Sequence, residues 1–264
     1  MKSSERVSEV PGRRASGLSE KYCVEIYESR PALGAAVAAD VAARIRQVAA
    51  RKAEVRIIFA AAPSQSDMLA SLVALPDIPW GQVTAFHMDD YLGLEAAAPE
   101  RFGNWLEAHL FSKVPFGAVH RIAAEGTADE ICAGYAARLA EAPIDIVCLG
   151  IGVNGHIAFN DPPVADFHDS QAVRVVELDG VCRQQQVDDG CFARFEAVPE
   201  RAITLTIPTL MAADALFCAV PGARKRAAVK AALEGPISTD CPASILRTHR
   251  NCTIYLDREA APHG

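Results

Sequence analysis

Residues 144–162 read "IDIVCLGIGVNGHIAFNDP", an apolar run that gives way to three glycines, a histidine, an acid and a proline. The run "IDIVCL" lacks polar alternation, as expected of a strand buried on both faces, and the glycines behind it mark a loop leaving the strand's end. The same rhythm extends in both directions. Upstream lie "CVEIY", an alanine-rich helical stretch from Pro31 to Arg51, "VRIIFA", a helix over Ser66 to Leu75, and "VTAFHM". Downstream lie "AVRVVEL", "AITLTI", "ALFCAV", a helix near Ala223 to Leu233, and "CTIYL". Strands alternating with helices imply parallel β-α-β units. The expected fold class is therefore α/β: a single open, mostly parallel twisted sheet with helices on both faces, Rossmann-like. Ligands in such sheets sit beyond the carboxyl ends of the strands, which singles out the segments after "VRIIFA", "VTAFHM", "IDIVCLG" and "ALFCAV".

Composition narrows the function classes. Of 264 residues, half are hydrophobic and 22% charged, a globular balance, and no apolar run approaches the roughly 18 residues of a membrane span. A net charge of -7 leaves no basic field for nucleic acid or anionic lipid, so neither is an expected partner. A small anion needs only one or two placed cations and stays possible. The eight cysteines are scattered without a CxxC pair, which signals neither a zinc site nor a redox dithiol and fits a reducing cytoplasm. The start of the chain, "MKSSERVSEVPGRRASGLS", has no apolar core of a signal peptide. Residues 1–20 are expected to be a flexible tail and 21–264 one α/β domain.

Four loops can carry chemistry. Gly150, Gly152 and Gly155 spell G-x-G-x-x-G, but a dinucleotide fingerprint needs its third glycine to open a helix, and Pro162 follows too soon. What the loop offers instead is His156, a side chain suited to proton transfer near neutral pH, flanked by Asn154 and Asp161. The plainer alternative is a structural histidine, with Asn160 and Asp161 as turn residues before proline. In "FHMDDYLGL", residues 86–94, Asp89 and Asp90 follow a strand; paired, partly buried carboxylates have a raised pKa and suit a general base, unless they form only a solvated turn. In "FAAAPSQSD", residues 59–67, Ser64 or Ser66 is placed to cap a helix whose free N–H groups face an anion. In "VPGARKRAAVKAALEG", residues 220–235, Arg224, Lys225 and Arg226 begin a helix against its dipole, which a bound anion would explain unless they face solvent.

Together these loops resemble the glucosamine-6-phosphate deaminase/isomerase family, which also contains 6-phosphogluconolactonases. "FHMDDYLGL" is similar to the deaminase pattern F-N-M-D-E-Y-x-G-L, and "GIGVNGHIAFNDP" to G-x-G-x-D-G-H-I-A-F-N-E-P. "PERFGNWLEAHLF", "AITLTI" and "PGARKRAAVKAALEG" extend the likeness over most of Lys21 to Asp257. The resemblance implies an isomerising deaminase of the hydrolase class. Glucosamine 6-phosphate opens, isomerises through an enol and loses ammonia to give fructose 6-phosphate, without metal or cofactor, and the resemblance allows a homo-oligomer. It implies Asp89 as general base and His156 as the ring-opening histidine, with Asn154 and Asp161 beside it. Lys225, Ala62 and Ser64 would hold phosphate, with Asp90, Gly155 and Arg183 as further substrate contacts. A lactonase or a sugar-phosphate sensor is the alternative. Three departures carry expectations of their own. Asn154 replaces the family's acid, removing a carboxylate that would hold an imidazolium; Asp161 is one methylene shorter than the family's glutamate; and "AAPS" replaces a glycine-rich T-G-G-[ST] cradle. The family's arginine near "NSRFF" has no clean counterpart in "CRQQQVDDGCF", with Arg183 the candidate substitute.

Overall fold

β-branched runs and helical patterns alternate along the chain, and the computed structural model, which describes residues 8–11 and 22–262, turns them into strands and helices in the same order. The elements are β1 (Ser8–Pro11), β2 (Tyr22–Tyr27), α1 (Arg30–Ala49), β3 (Val55–Phe59), α2 (Ser66–Ala74), β4 (Val83–His87), β5 (Asp89–Tyr91), α3 (Phe102–Leu106), β6 (Ala118–His120), α4 (Ala128–Ala140), β7 (Ile146–Leu149), β8 (Val173–Glu177), α5 (Gly180–Asp188), β9 (Arg201–Leu205), α6 (Ile207–Met211), β10 (Ala215–Val220), α7 (Arg226–Glu234) and β11 (Cys252–Asp257).

The central sheet runs β1-β2-β11-β10-β7-β3-β4-β6. Its pairings are parallel except for β1 on β2. Every residue of β3, β4, β7 and β10 is buried, because helices cover both faces. Period-two alternation sorts their side chains into two apolar layers. Ile57, Phe59, Ile146, Cys148 and Phe217 pack with α1 and α2, while Ile58, Val147, Leu149, Leu216 and Cys218 pack with α4, α6 and α7. Helix α1 starts at Ser29, whose hydroxyl accepts from the Ala32 N–H, and buries Leu33, Val37, Val41, Ile45 and Val48 along one stripe. Gly34 lets α2 approach: a Cβ there would lie 2.7 Å from that of Asp67. Helix α4 opens with a capping box between Thr127 and Glu130.

Two expectations require correction. "AVRVVEL" and "AITLTI" do not join the main sheet: β8 and β9 pair antiparallel with each other, and β9 with β5, in a separate three-stranded sheet. A parallel return needs a crossover of a dozen or more residues, usually helical, and no helix lies between β7 and β8. The expected tail contains β1, which pairs with β2 from Ser8 opposite Ile26 to Pro11 opposite Cys23; without it β2 would leave an open sheet edge. The rest of residues 1–20 lies outside the described residues. No helix among the described residues is long and apolar enough to cross a membrane.

Strand order locates the ligand end. From β3 the chain moves outward to β4 and β6, and from β7 it moves the opposite way to β10 and β11. The crevice between the loops after β3 and β7 is the topological switch point where open α/β sheets bind ligands. The two strands stay in register to that point, where the Ala60 N–H donates to Cys148 O at 2.9 Å.

Candidate active site

A pocket opens at this crevice, and the loops after β3, β4, β7 and β10 all contribute to it. Ala62, Ser64, Asp89, Gly152, His156 and Lys225 line it, so four segments singled out in sequence meet in space.

Asp89 sits where the chain leaves the main sheet: β4 ends at His87, Met88 turns, and Asp89 begins β5 opposite Thr204. Its side chain is buried yet hydrogen-bonds to no described residue. Burial, then the charge of Asp90, pushes its carboxyl pKa well up. His87 fixes the backbone beneath it. The Ile122 N–H donates to His87 Nε2 at 2.9 Å, which leaves the proton on Nδ1 to donate to the Asp89 carbonyl at 2.9 Å. Burial lowers the His87 pKa and holds the ring in this neutral state.

Asp90 is not part of the pocket, contrary to the sequence expectation. Successive strand residues point to opposite faces, and its carboxylate turns inward. It accepts from Arg101 at 3.0 Å, from the Phe102 N–H at 3.0 Å and from the Tyr91 N–H at 2.9 Å, thereby anchoring the start of α3.

The glycines of the "GIGVNGHIAFNDP" loop are packing requirements. A Cβ on Gly152 would lie 2.1 Å from His156 Nε2, so the imidazole rests directly on that glycine's backbone. Gly155 has φ +86 and lies against Cys241, while a Cβ on Gly150 would reach Gln65 at 2.9 Å. The bend that results brings His156 Nδ1 to 2.8 Å from Asp161 Oδ1, a charge-pair distance that is off the hydrogen-bond line, since Nδ1 has no aligned partner. Asp161 is fully buried. Burial alone would raise its pKa, but the contacts from His156, Asn154 and the Asp179 N–H together hold it below the usual range. Asn154 donates Nδ2 to Asp161 Oδ1 at 3.0 Å and accepts the His156 N–H at 3.1 Å. The expectation that Asn154 leaves the imidazole without a carboxylate is thus corrected. Asp161 supplies the carboxylate, and the amide braces it.

At the other end of the pocket, the loop after β3 makes a short turn, Pro63–Gln65, into α2. Neither serine caps that helix, so Ser64 Oγ, which only accepts from Gln65 Nε2 at 3.3 Å, faces the pocket instead. Lys225 is buried, and no described residue hydrogen-bonds or ion-pairs with its ammonium. Burial lowers its pKa to about 8 although Asp189 pulls the other way. Arg183 lies outside: its guanidinium stacks 4.3 Å over the Phe195 ring and donates to Val198 O at 2.8 Å. It does not line the pocket where the sequence expectation put it, because α5 directs it toward the Phe195–Ala197 turn.

Sequence reasoning missed Gln65, Gln185, Gln186 and Asp189, all pocket-lining. Only the polar run "RQQQVDD" hinted at the last three, and nothing in it says which face turns inward. His156, Asp161 and Cys182 offer donor atoms within 4.8 Å of one another, a set that could hold a cation. Asp161 is already engaged there, and burial pushes the Cys182 thiol well up.

The model of the glucosamine-6-phosphate isomerases/6-phosphogluconolactonase family matches residues 28–255. The chain belongs to that family. A glucosamine-6-phosphate deaminase of Listeria welshimeri is 35% identical over 209 residues, covering 79% of this chain and 87% of the relative. The corresponding enzyme of Exiguobacterium sibiricum is 36% identical over 181 residues, 68% of this chain and 69% of the relative. Among solved structures, a monomeric glucosamine-6-phosphate deaminase superposes with a TM-score of 0.84 at 26% identity, covering 91% of this chain and 99% of that one. A 6-phosphogluconolactonase of Thermotoga maritima, at 17% identity, a TM-score of 0.74, and 90% and 100% coverage, shares the family fold.

Proposed function

We propose that this family member is a glucosamine-6-phosphate deaminase, an isomerising enzyme whose net reaction consumes water and releases fructose 6-phosphate and ammonia. The observation that carries the reading is Asp89, a buried carboxylate without a partner among the described residues, sharing one pocket with the His156–Asp161 pair and a lysine that is likewise unpaired among them. A base that abstracts a C–H proton needs those features: a free lone pair, a raised pKa and exclusion of water.

In the proposed sequence, His156 moves a proton between the ring oxygen and the anomeric hydroxyl of the bound sugar, while Asp161 stabilises the transient imidazolium. Asp89 then takes the C2 proton, and the resulting enol is reprotonated at C1 to give a C2 imine. Water adds to that imine, the C–N bond breaks, and ammonia leaves. Lys225 and Ser64 hold the phosphate at the far end. The assay is direct. Ammonia and fructose 6-phosphate should form in equal amounts from glucosamine 6-phosphate, and 6-phosphogluconolactone should be a poor substrate. Lactone hydrolysis without ammonia release would reverse the assignment in favour of the lactonase branch. A soluble protein of the cytoplasm is the setting that fits this substrate and the eight free thiols.

A further inference from the structure

Gln65, Gln185 and Gln186 all line the pocket, and their amides are engaged unequally. Gln65 Nε2 donates to Ala219 O at 3.2 Å and to Ser64 Oγ at 3.3 Å, while its Oε1 is sealed in the interior. Gln185 uses both ends: Oε1 accepts the Val153 N–H at 2.8 Å, and Nε2 donates to Asp189 Oδ2 at 3.2 Å. Gln186 is buried to the same degree, 6% exposed, yet its amide has no partner among the described residues. Unlike Gln65 Oε1, neither polar atom of that amide is closed off from solvent, so the exposure it retains faces the pocket it lines. The register of α5 sets what the amide meets. Residues 182, 186 and 189 follow an i, i+4, i+7 spacing and share one helix face. At one end Cys182 brings its thiol within 4.8 Å of the His156 and Asp161 donor atoms. At the other, Asp189 is close enough to act on the charge of Lys225. Gln186 lies between them, about 6 Å along the axis from Cys182. A ligand held by one end at Asp89 and His156 and by the other at Lys225 therefore passes the free amide with its middle.

We propose that Gln186 is a specificity-determining residue that reads the C3 and C4 hydroxyls of the sugar chain and, through them, the configuration at C4. This rests on the sugar-phosphate reading above. An amide offers a carbonyl acceptor and N–H donors together, and a hydroxyl can answer both, whereas a phosphate dianion only accepts and leaves the carbonyl unanswered. Hydroxyls are thus the groups that satisfy Gln186 fully. Glucosamine and galactosamine 6-phosphates differ at C4, where inversion turns the hydroxyl to the other side of the chain, so an amide fixed on one wall pairs with one epimer and is left partly unpaired by the other. The contact lies away from C1 and C2, acts on ground and transition state alike, and belongs to KM more than to kcat.

The test uses the full chain with two unreactive open-chain probes, glucitol 6-phosphate and its C4 epimer galactitol 6-phosphate, and with inorganic phosphate as a third, each read as the rise in thermal midpoint with concentration. Wild type should bind the glucitol probe about 10-fold more tightly than the galactitol probe, the scale of a hydrogen bond made or left unmade. Gln186→Met keeps the length of the side chain and removes the amide. It should abolish that preference by weakening the glucitol probe, while inorganic phosphate binds as to wild type. Gln186→Asn, a methylene too short to reach, should behave likewise. With glucosamine 6-phosphate as substrate, Gln186→Met should raise KM about 10-fold and change kcat less. Equal binding of the two epimers by wild type, an unchanged preference in both variants, or weakened inorganic phosphate binding in both would overturn the assignment of Gln186. A wild type that binds none of the three probes would remove the sugar-phosphate reading and the proposal with it. A folded wild type that binds the probes with this preference but releases no ammonia would remove the deaminase reading and leave Gln186 in its role.

Discussion

Asp89 and Asp90 are adjacent carboxylates with opposite surroundings, and the contrast sets their chemistry. Asp90 accepts from Arg101 and from the Tyr91, Phe102 and Gly103 N–H groups, whereas Asp89 has burial and a neighbouring charge and no offsetting partner among the described residues. A carboxyl whose folded pKa lies above its unfolded value binds its proton more readily in the folded state, so it costs stability as pH rises through that window. Asp89→Asn should thus be more heat-stable than wild type at neutral pH, and the difference should vanish below the ordinary carboxylate range; thermal midpoints at a series of pH values read this directly. Lys225 works in the opposite sense. Its free-state pKa of about 8 means that phosphate binding must retain or recover a proton at higher pH, so KM should rise as pH climbs above about 8 while kcat changes less. A KM flat from pH 7 to 10 would remove the ammonium from the binding site.

Elements hold these residues in place. The apolar runs β3, β4, β7 and β10 were legible because burial on both faces leaves no polar alternation to obscure them, and strand ends follow from strand positions. Asp89 and His156 were legible for that reason. The second sheet was not, since β8 and β9 look like further members of the parallel alternation until the missing helix between β7 and β8 is seen. Nor could spacing show that Asp161 folds back on His156, because a five-residue separation through a turn with Ala158 at positive φ has no fixed geometry. The glycines spell a nucleotide fingerprint that Pro162 already excluded in the sequence, and their purpose is contact: Gly152 carries the imidazole on its backbone. Gly152→Ala should displace the ring, and since a misplacement of about 1 Å can cost on the order of 10²-fold in rate, kcat should fall by about that much in a protein that stays folded by circular dichroism. Retention of near-normal turnover would show that His156 acts from another position.

At the scale of the whole molecule, the strand order places two halves of the sheet so that their loops converge at one crevice, and the small antiparallel sheet contributes Asp89, the first residue of β5, to its lining. His156 and Asp161 sit on the loop after β7, Asp89 on the exit from β4, and Lys225 on the turn after β10. Each comes from a different crossover, so the site exists only when the sheet is assembled. The family shares this frame between deaminases and lactonases, and what separates the two here is whether the carboxylate at Asp89 moves a carbon-bound proton. The decisive measurement is ammonia release from glucosamine 6-phosphate by wild type and by Asp89→Asn. Wild type should turn over and the variant should lose at least about 10³-fold, the size of a general-base contribution. Equal rates in the two proteins, or no ammonia from a folded wild type, would contradict the assignment of Asp89 as the base.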